Sequence, residues 1–135
     1  AVENFMESIQ GLASLKKKIV PHIAKRGWFK GLDGRKVVVP SEHKTLAGML
    51  QNGESVIMKH SALQWVRQAK AEGIDFKLVT WPHDEWQTEV CGTMATAEAL
   101  GKLQRQSIVD TGVKFDMMCP LAGSTDIGRN WKDTH

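Results

Sequence analysis

The chain has 135 residues, of which 41% are hydrophobic and 24% are charged, and its formal net charge is +3. This length supports a single hydrophobic core, and the composition is that of an ordinary globular protein with no apolar run long enough to cross a membrane. The spacing of Cys91 and Cys119 fits neither a metal site nor a secreted disulfide framework, which predicts reduced, half-buried thiols in a cytoplasmic protein.

The first predicted element is a helix over about residues 3 to 26, which Pro21 should kink or end early. Residues 27 to 40 predict a strand, an Asp-Gly turn and a second strand. A long helix is expected over about residues 42 to 72, with Ser41 as its N-cap and Gly73 as its stop. Its inner face is predicted to contain Leu46, Met49, Leu50, Gly53, Val56, Ile57, His60 and Leu63.

A second hairpin is predicted over about residues 74 to 91, because apolar and polar residues alternate on both sides of its tip. A second helix follows over about residues 96 to 111, with Leu100, Leu103, Ser107 and Ile108 on its inner side. A strand is then expected from Val113 to Cys119, before an irregular tail. This order of elements predicts an α+β fold in which an antiparallel sheet packs on the long helix and the second helix.

The tip of the second hairpin contains the most informative residues, His83, Asp84 and Glu85. Two adjacent carboxylates repel each other, which costs stability unless a cation or a hydrogen-bond donor is nearby. Hard oxygen ligands of this kind suit Mg²⁺ or Mn²⁺, which bind one or two carboxylates and accept substrate phosphates as further ligands. The residues alone leave two interpretations open: a metal-ion site or a solvated acidic turn.

Positive charge is concentrated in one stretch of the chain, where only Asp33 and Glu42 oppose it. Such a stretch can neutralise phosphates and release counterions, as nucleic-acid binding requires, although a solvated basic face is the alternative. Its basic residues are Lys16, Lys17, Lys18, Lys25, Arg26, Lys30, Arg35, Lys36 and Lys44.

On the long helix, His43, Ala47 and Gln51 share one face because they are four residues apart. A glutamine there can donate to the acceptors that every base pair presents in the minor groove, although an exposed glutamine without a role is the commoner case. His83 could be a metal ligand, a general base or a donor to substrate, and the neighbouring carboxylates favour the donor role. The five tryptophans are expected to pack in the core and hairpin rather than to stack on bases.

Taken in order, these motifs resemble the C-terminal part of the palm of family A DNA polymerases, and the branch of short-tailed phages fits best. The matching stretches run from about Arg26 to His135: Gly31-Leu-Asp-Gly-Arg-Lys-Val37, Ser41-x-His43, Leu50-Gln51, Trp81-x-His-Asp-Glu85 and a C-terminal Gly128-Arg-Asn-Trp-x-x-x-His135. The resemblance implies that residues 27 to 135 are palm and that residues 1 to 26 lead out of the fingers.

The resemblance also implies roles for individual residues. Asp84 matches the second catalytic aspartate, which shares two Mg²⁺ ions with an aspartate of an earlier motif, and Glu85 matches its supporting neighbour. His83 is similar to the histidine at the primer terminus, and Gln51 to the glutamine that touches the minor groove. By the same resemblance His43, Arg35 and Lys36 are candidates for contacts to the DNA backbone.

The chain departs from the family pattern in two places. Ala47 replaces an asparagine that often precedes the glutamine by one turn, so part of a minor-groove contact is expected to be lost or to be supplied elsewhere. Pro82 replaces a valine and could alter the aim of Asp84, because proline removes a backbone donor.

No residues of the chain match the family's first catalytic aspartate, its fingers helix or its thumb. The two-metal site is therefore expected to be incomplete, and the isolated chain inactive, until an upstream polymerase portion joins it as part of a split or a longer enzyme. Its expected partners are primer-template DNA, deoxynucleoside triphosphates and that portion, with self-association through exposed palm surface and no membrane. A phage-encoded chain would act in the host cytoplasm.

Two other classes of function remain open. One is a non-catalytic DNA-binding or assembly module derived from a palm. The other is a metal-dependent nuclease that would use Asp84 and Glu85 together with a distant histidine such as His22 or His60.

Overall fold

The computed structural model describes residues 8 to 134. The chain divides into two compact units, one ending at Glu54 and the other beginning at Ser55, and the boundary falls within a long helix. Both units contain helices and a two-stranded antiparallel sheet. The predicted α+β class is therefore confirmed.

The helical segment of the first unit changes type along its length. It consists of an α-helical turn at Leu12–Ser14, a π-helical stretch at Leu15–Ile19 and an α-helix, α1, at Val20–Arg26. Pro21 lies in the first turn of α1, where a missing N–H is best tolerated, and the wider π turn precedes it. The predicted kink is thus a change of helix type, and residues 3 to 7 of the predicted helix lie outside the described residues.

Strands β1 (Trp28–Lys30) and β2 (Lys36–Val38) form the predicted first hairpin. The Gly31 N–H donates to the Arg35 carbonyl at 2.7 Å, and Gly34 between them has a φ of 86°. A three-residue loop that ends on a left-handed glycine suits the right-handed twist of the flanking strands. The inner face of the hairpin packs with α1 and the long helix in a small core of Ile23, Phe29, Val37, Val39 and Met49.

The long helix, α2, runs from Glu42 to Ala71 and ends where the sequence predicts. Gly73 adopts a φ of 70°, its N–H bonds to the Lys70 carbonyl, and the Ile74 N–H bonds to the Ala69 carbonyl at 2.9 Å. These two bonds are those of a Schellman motif, in which a left-handed glycine satisfies the last carbonyls of a helix.

The predicted inner face of α2 is partly wrong. Leu50 and Leu63 are 66% and 57% exposed, whereas Val56 is 2% exposed. In the second unit the buried side is formed instead by Ser61, Ala62, Trp65 and Ala69. Small residues beside one tryptophan leave space for the second helix and hairpin to approach, and hydrophobicity alone does not reveal such a face.

Strands β3 (Phe76–Thr80) and β4 (Gln87–Val90) form the second predicted hairpin. The register shifts between Leu78 and Thr80, so that an extra residue of β3 lies just before the tip. Such bulges bend and re-aim a strand end. The hairpin packs on a core of Ala62, Trp65, Ala69 and Leu100 through Ile74, Phe76, Trp81, Trp86 and Val90.

The second helix, α3, extends from Met94 to Lys114, which makes it longer than predicted. The expected strand from Val113 to Cys119 is therefore wrong. The helix ends instead in a Schellman motif in which Asp116, with a φ of 51°, occupies the position that glycine usually takes. Because no glycine marks the end of this helix, the alternation of apolar and polar residues around Val113 and Phe115 resembles the sequence pattern of a strand.

The chain after α3 is irregular up to a short 3₁₀ helix at Trp131–Thr134. Cys91 and Cys119 are both exposed rather than half-buried. No helix among residues 8 to 134 has both the length and the apolarity needed to span a membrane.

Candidate active-site turn and DNA-facing surface

The carboxylate-bearing tip of the second hairpin is a tight turn. The Glu85 N–H donates to the Pro82 carbonyl at 3.0 Å, and His83, the first central residue, has a φ of 49°. Positive φ at this position is the signature of the turns that match the twist of a hairpin, but it costs energy for any residue except glycine. Pro82 lies beyond the end of β3, so its missing N–H breaks no bond of the strand ladder.

Two tryptophans fix this turn to the core of the second unit. Trp81 Nε1 donates to the His83 carbonyl at 3.2 Å, and the Trp81 ring lies edge-on to Trp86 with centroids 6.0 Å apart. Trp86 in turn packs against Trp65, which is fully buried, with centroids 5.7 Å apart. Three indoles in successive contact, those of Trp81, Trp86 and Trp65, therefore support the backbone of the turn that contains Asp84.

The side chains of the turn differ in exposure. His83 and Asp84 are exposed and Glu85 is half-buried. The carboxylate of Asp84 makes no hydrogen bond or ion pair with residues 8 to 134, so its charge is uncompensated there. An exposed carboxylate beside a second one, on a braced turn, is free to bind a cation.

The described residues do not supply a third ligand. No group of three or more His, Cys, Asp or Glu residues suited to a metal ion occurs among residues 8 to 134. His60, a candidate partner in the nuclease hypothesis, lies 3.2 Å from Lys114 Nζ through its Nδ1 atom and packs edge-on against Phe115. Within the second unit, the structure therefore does not group His60 with Asp84 and Glu85 as a nuclease-type metal site would require.

The candidate DNA-contacting residues of α2 are exposed. His43 is the second residue of the helix and, with Ala47, lines an open groove of about 420 Å³. Gln51 lies two turns further along and is also exposed. Its neighbour Asn52 touches the first hairpin loop: a Cβ on Gly31 would lie 2.6 Å from Asn52 Oδ1. Glycine is needed at position 31 to allow that approach.

The other two candidates, Arg35 and Lys36, lie at the start of β2 and are exposed. Arg35 forms an ion pair with Asp33 through Nε, and its N–H also donates to Asp33 Oδ1 at 3.2 Å. Partial burial raises the pKa of the Asp33 carboxyl, but the hydrogen bonds and charge of Arg35 outweigh it and hold that pKa below its usual value of 3.8. Arg35 is thus partly neutralised, whereas Lys36 makes no ion pair with the described residues.

Three further residues lie beside these candidates: Arg26 and Lys30, which were predicted only as members of the basic stretch, and Trp28, which was predicted only to pack. Arg26 places its guanidinium 4.1 Å from the ring centroid of Trp28, and Lys36 Nζ lies 5.0 Å from the same centroid. Lys30 lies directly across the strand pair from Lys36. The Lys30–Lys36 pair could have been predicted from the sequence, because the Asp-Gly turn sets the register of the hairpin. The contacts of Arg26 could not, because they depend on where α1 ends.

Sequence comparison with known proteins shows that the chain is similar to DNA polymerases of phages. It is 28% identical over 153 aligned positions to the DNA-directed DNA polymerases of Enterobacteria phage T3 and of Escherichia phage T7. Each alignment covers 98% of this chain and 22% of the polymerase. The polymerase of Escherichia phage Phieco32 is 30% identical over 125 positions, which cover 83% of this chain and 19% of that protein. The chain thus spans about a fifth of the length of these relatives.

A solved structure has the same fold. The POL domain of Pol1 from M. smegmatis, in complex with DNA primer-template and dNTP, aligns with a TM-score of 0.84 and 20% identity over 98% of this chain and 25% of that one. No family model matches the chain. The expected resemblance is confirmed: the chain is homologous to one segment of the phage T3 and T7 DNA polymerases, and its fold is that of part of a DNA polymerase I polymerase domain.

Proposed function

We propose that this chain is the C-terminal palm portion of a DNA-directed DNA polymerase and supplies the second carboxylate motif for nucleotidyl transfer in DNA replication. The observation that supports this most directly is Asp84, an exposed and uncompensated carboxylate on an indole-braced turn. The homology to phage polymerases over 98% of the chain supplies the reaction class.

The donor set of the turn fits Mg²⁺. Asp84 and Glu85 offer hard carboxylate oxygens, and Mg²⁺ commonly takes one or two carboxylates and leaves its other positions to water and substrate phosphates. Asp84 and Glu85 are the residues that would hold it. When bound, the ion supplies Lewis-acid activation of the reacting oxygens.

The remaining roles concern binding and orientation of DNA. His83, exposed at the turn, is proposed to donate to the primer terminus, and Gln51 to donate to minor-groove acceptors of the new base pair. His43, Arg35 and Lys36 are proposed to contact the sugar-phosphate backbone, which fixes orientation without reading sequence. Arg35 must share its guanidinium with Asp33, so its contribution is expected to be the smaller of the two basic residues.

The proposed site is a two-metal site in which a further carboxylate would share the two ions with Asp84, and the described residues place no third carboxylate, histidine or cysteine beside Asp84 and Glu85. We infer that an upstream polymerase portion supplies that carboxylate together with fingers and thumb, and that primer-template DNA and deoxynucleoside triphosphates are the substrates. The chain by itself is expected to be inactive. Since its relatives are phage polymerases, we expect it to act in the host cytoplasm.

The test is primer extension with Mg²⁺ and four nucleotides, by this chain mixed with an upstream polymerase fragment that contains the first catalytic aspartate. We expect extension in the mixture and a loss of roughly 10³-fold in rate with Asp84→Ala, since Lewis-acid stabilisation contributes several kcal/mol to the barrier. Asp126→Ala, which also removes an exposed carboxylate of the second unit, is the matched control and should leave the rate unchanged. Equal losses from both variants, or no extension despite association of the two pieces, would refute the proposal.

A second candidate is a non-catalytic DNA-binding or assembly module. The observation in its favour is that Arg26, Lys30 and Lys36, at and beside the first hairpin, form no ion pair with the described residues and need no carboxylate to bind DNA. Duplex binding that persists in a chain with no activity in the mixture would select this candidate.

A further inference from the structure

The outer face of the first hairpin concentrates positive charge. Residues directly opposite in an antiparallel pair point to the same side, and the register pairs Trp28 with Val38 and Lys30 with Lys36. These four side chains therefore share one face, while Phe29 and Val37 point into the core. Arg26 joins that face through its contact with the Trp28 ring. We call Arg26, Trp28, Lys30 and Lys36 the basic strand face.

The pair Lys30 and Lys36 lowers stability in the free chain. Like charges directly across an antiparallel pair repel and destabilise it, and both lysines are exposed. No carboxylate among residues 8 to 134 forms an ion pair with Arg26, Lys30 or Lys36, whereas the nearby Arg35 is partly neutralised by Asp33. A bound anion would relieve this repulsion.

Trp28 holds two of the three cations in place. The Arg26 guanidinium lies over its ring, Arg26 Nε donates to the Trp28 carbonyl at 2.9 Å, and Lys36 Nζ approaches the same ring. Attraction of cations to an aromatic face fixes long, flexible side chains before any ligand arrives. Less conformational entropy is then lost on binding.

We propose that the basic strand face binds the phosphodiester backbone of duplex DNA, with Trp28 as a positioning residue for Arg26 and Lys36. The identity of the anion rests on the proposed function, because a polymerase segment works on a duplex. An acidic protein is the less suitable partner, since protein interfaces depend on apolar anchors and this face offers mainly Val38 beside a ring already approached by two cations.

The first test is binding of the isolated chain to a fluorescent duplex in EDTA, measured by anisotropy at several salt concentrations. We expect Lys30→Gln to reduce the slope of log affinity against log salt by about 0.9, as for one lost phosphate contact. Lys77→Gln is the matched control, because Lys77 is an exposed strand lysine of the second unit that lies 3.9 Å from Glu89 and should contribute nothing. An unchanged slope for Lys30→Gln would overturn the proposal.

Trp28 is tested separately because it contacts cations rather than phosphate. Trp28→Ala should weaken duplex affinity about 5-fold, and Trp28→Phe should restore part of the loss, as the strengths of the cation–π contacts predict. Equal affinity of the Phe and Ala variants would contradict the role of an aromatic ring in positioning Arg26 and Lys36.

A stability measurement separates binding from a structural role. Lys30→Gln should raise the melting temperature of the free chain, since it removes the like-charge pair, while it weakens duplex binding. If Lys30 instead had a purely structural role, Lys30→Gln would lower both the melting temperature and the affinity for duplex. Binding of polyglutamate with the same dependence on Lys30, but not of duplex, would assign the face to an acidic protein instead.

These tests are independent of catalysis. Duplex binding in EDTA requires no bound metal ion, so failure of the proposed polymerase activity would leave the binding result interpretable. Asp126→Ala, which removes an exposed carboxylate outside the proposed site, should bind duplex like the unaltered chain.

Discussion

At the scale of single residues, the conformation of His83 shows what the turn demands of the chain. A side chain at a φ of 49° is strained, and here the bracing by Trp81 and the turn hydrogen bond maintain it. The imidazole therefore occupies a position where glycine would meet no such backbone penalty.

Glycine and alanine substitutions at the turn test this strain. We expect His83→Gly to be more stable than His83→Ala by about 1 kcal/mol, because only glycine adopts positive φ without penalty. At Asp84, where φ is not positive, the order should reverse. Urea unfolding of the four variants gives the comparison, and the same order at both positions would show that His83 is unstrained.

Asp33 provides a pH-dependent term. Its pKa in the folded chain is below the usual 3.8, so its ion pair stabilises the fold above that pH and the contribution is lost as the pH falls through the lowered value. The unaltered chain should therefore have a higher melting temperature than Asp33→Asn at neutral pH, and this difference in melting temperature should disappear in acid. A difference that increased in acid would mean that the pKa is raised instead.

At the scale of elements, Trp65 links α2 to the second hairpin. It is fully buried and touches both Phe76 and Trp86, with centroids 5.1 and 5.7 Å away. Its indole Nε1 is buried without a partner among the described residues. The ring thus contributes packing, while its polar atom contributes nothing favourable.

Truncation of this ring should have a large effect. We expect Trp65→Ala to lower the free energy of unfolding by about 3–5 kcal/mol, and Trp65→Phe to cost much less, since it keeps an aromatic ring and removes the unpaired donor. Trp131→Ala, at a position 55% exposed, is the control and should cost about 0.5 kcal/mol. Similar losses for Trp65→Ala and Trp131→Ala in urea unfolding would contradict the core assignment.

A buried hydroxyl pair joins α2 to α3. Ser61 and Thr111 are almost completely buried, and their hydroxyl oxygens lie 2.9 Å apart. Ser61→Ala or Thr111→Val alone should cost about 1–3 kcal/mol, because each leaves a buried hydroxyl unpaired. The double variant should cost less than the sum, and additivity in the urea-unfolding cycle would show that the pair does not interact.

At the scale of the whole molecule, the strand edges of the second unit remain open. β3 pairs only with β4 within the described residues, and its Leu78 and Val79 are 41% and 65% exposed. Unpaired edges with apolar side chains favour association with another strand. The proposed upstream portion or a second copy of the chain could supply a strand that pairs with this edge.

Sedimentation velocity at increasing protein concentration tests self-association through this edge. We expect the sedimentation coefficient to rise with concentration for the unaltered chain and to stay constant for Val79→Lys, because an edge lysine opposes strand pairing. Val113→Lys adds the same charge at an exposed helical position and should not prevent association. If both variants abolish it, charge rather than the edge is responsible.

The sequence by itself determined the elements whose signals are local. The Asp-Gly loop, the left-handed stop at Gly73 and the alternation around the second hairpin each depend on a few adjacent residues, and the structure has all three. The order of its motifs also identified the polymerase relatives. Local chemistry fixes backbone conformation over one turn, so these features could be predicted.

Tertiary structure alone decided the remaining features. The length of α3 depends on burial of Thr111 and Gly112 and on an aspartate that takes the place of glycine. The three indoles behind Asp84, and the cations around Trp28, come from separate elements. Such contacts depend on which faces meet, and a pattern of residue types along one chain does not specify how distant faces pack.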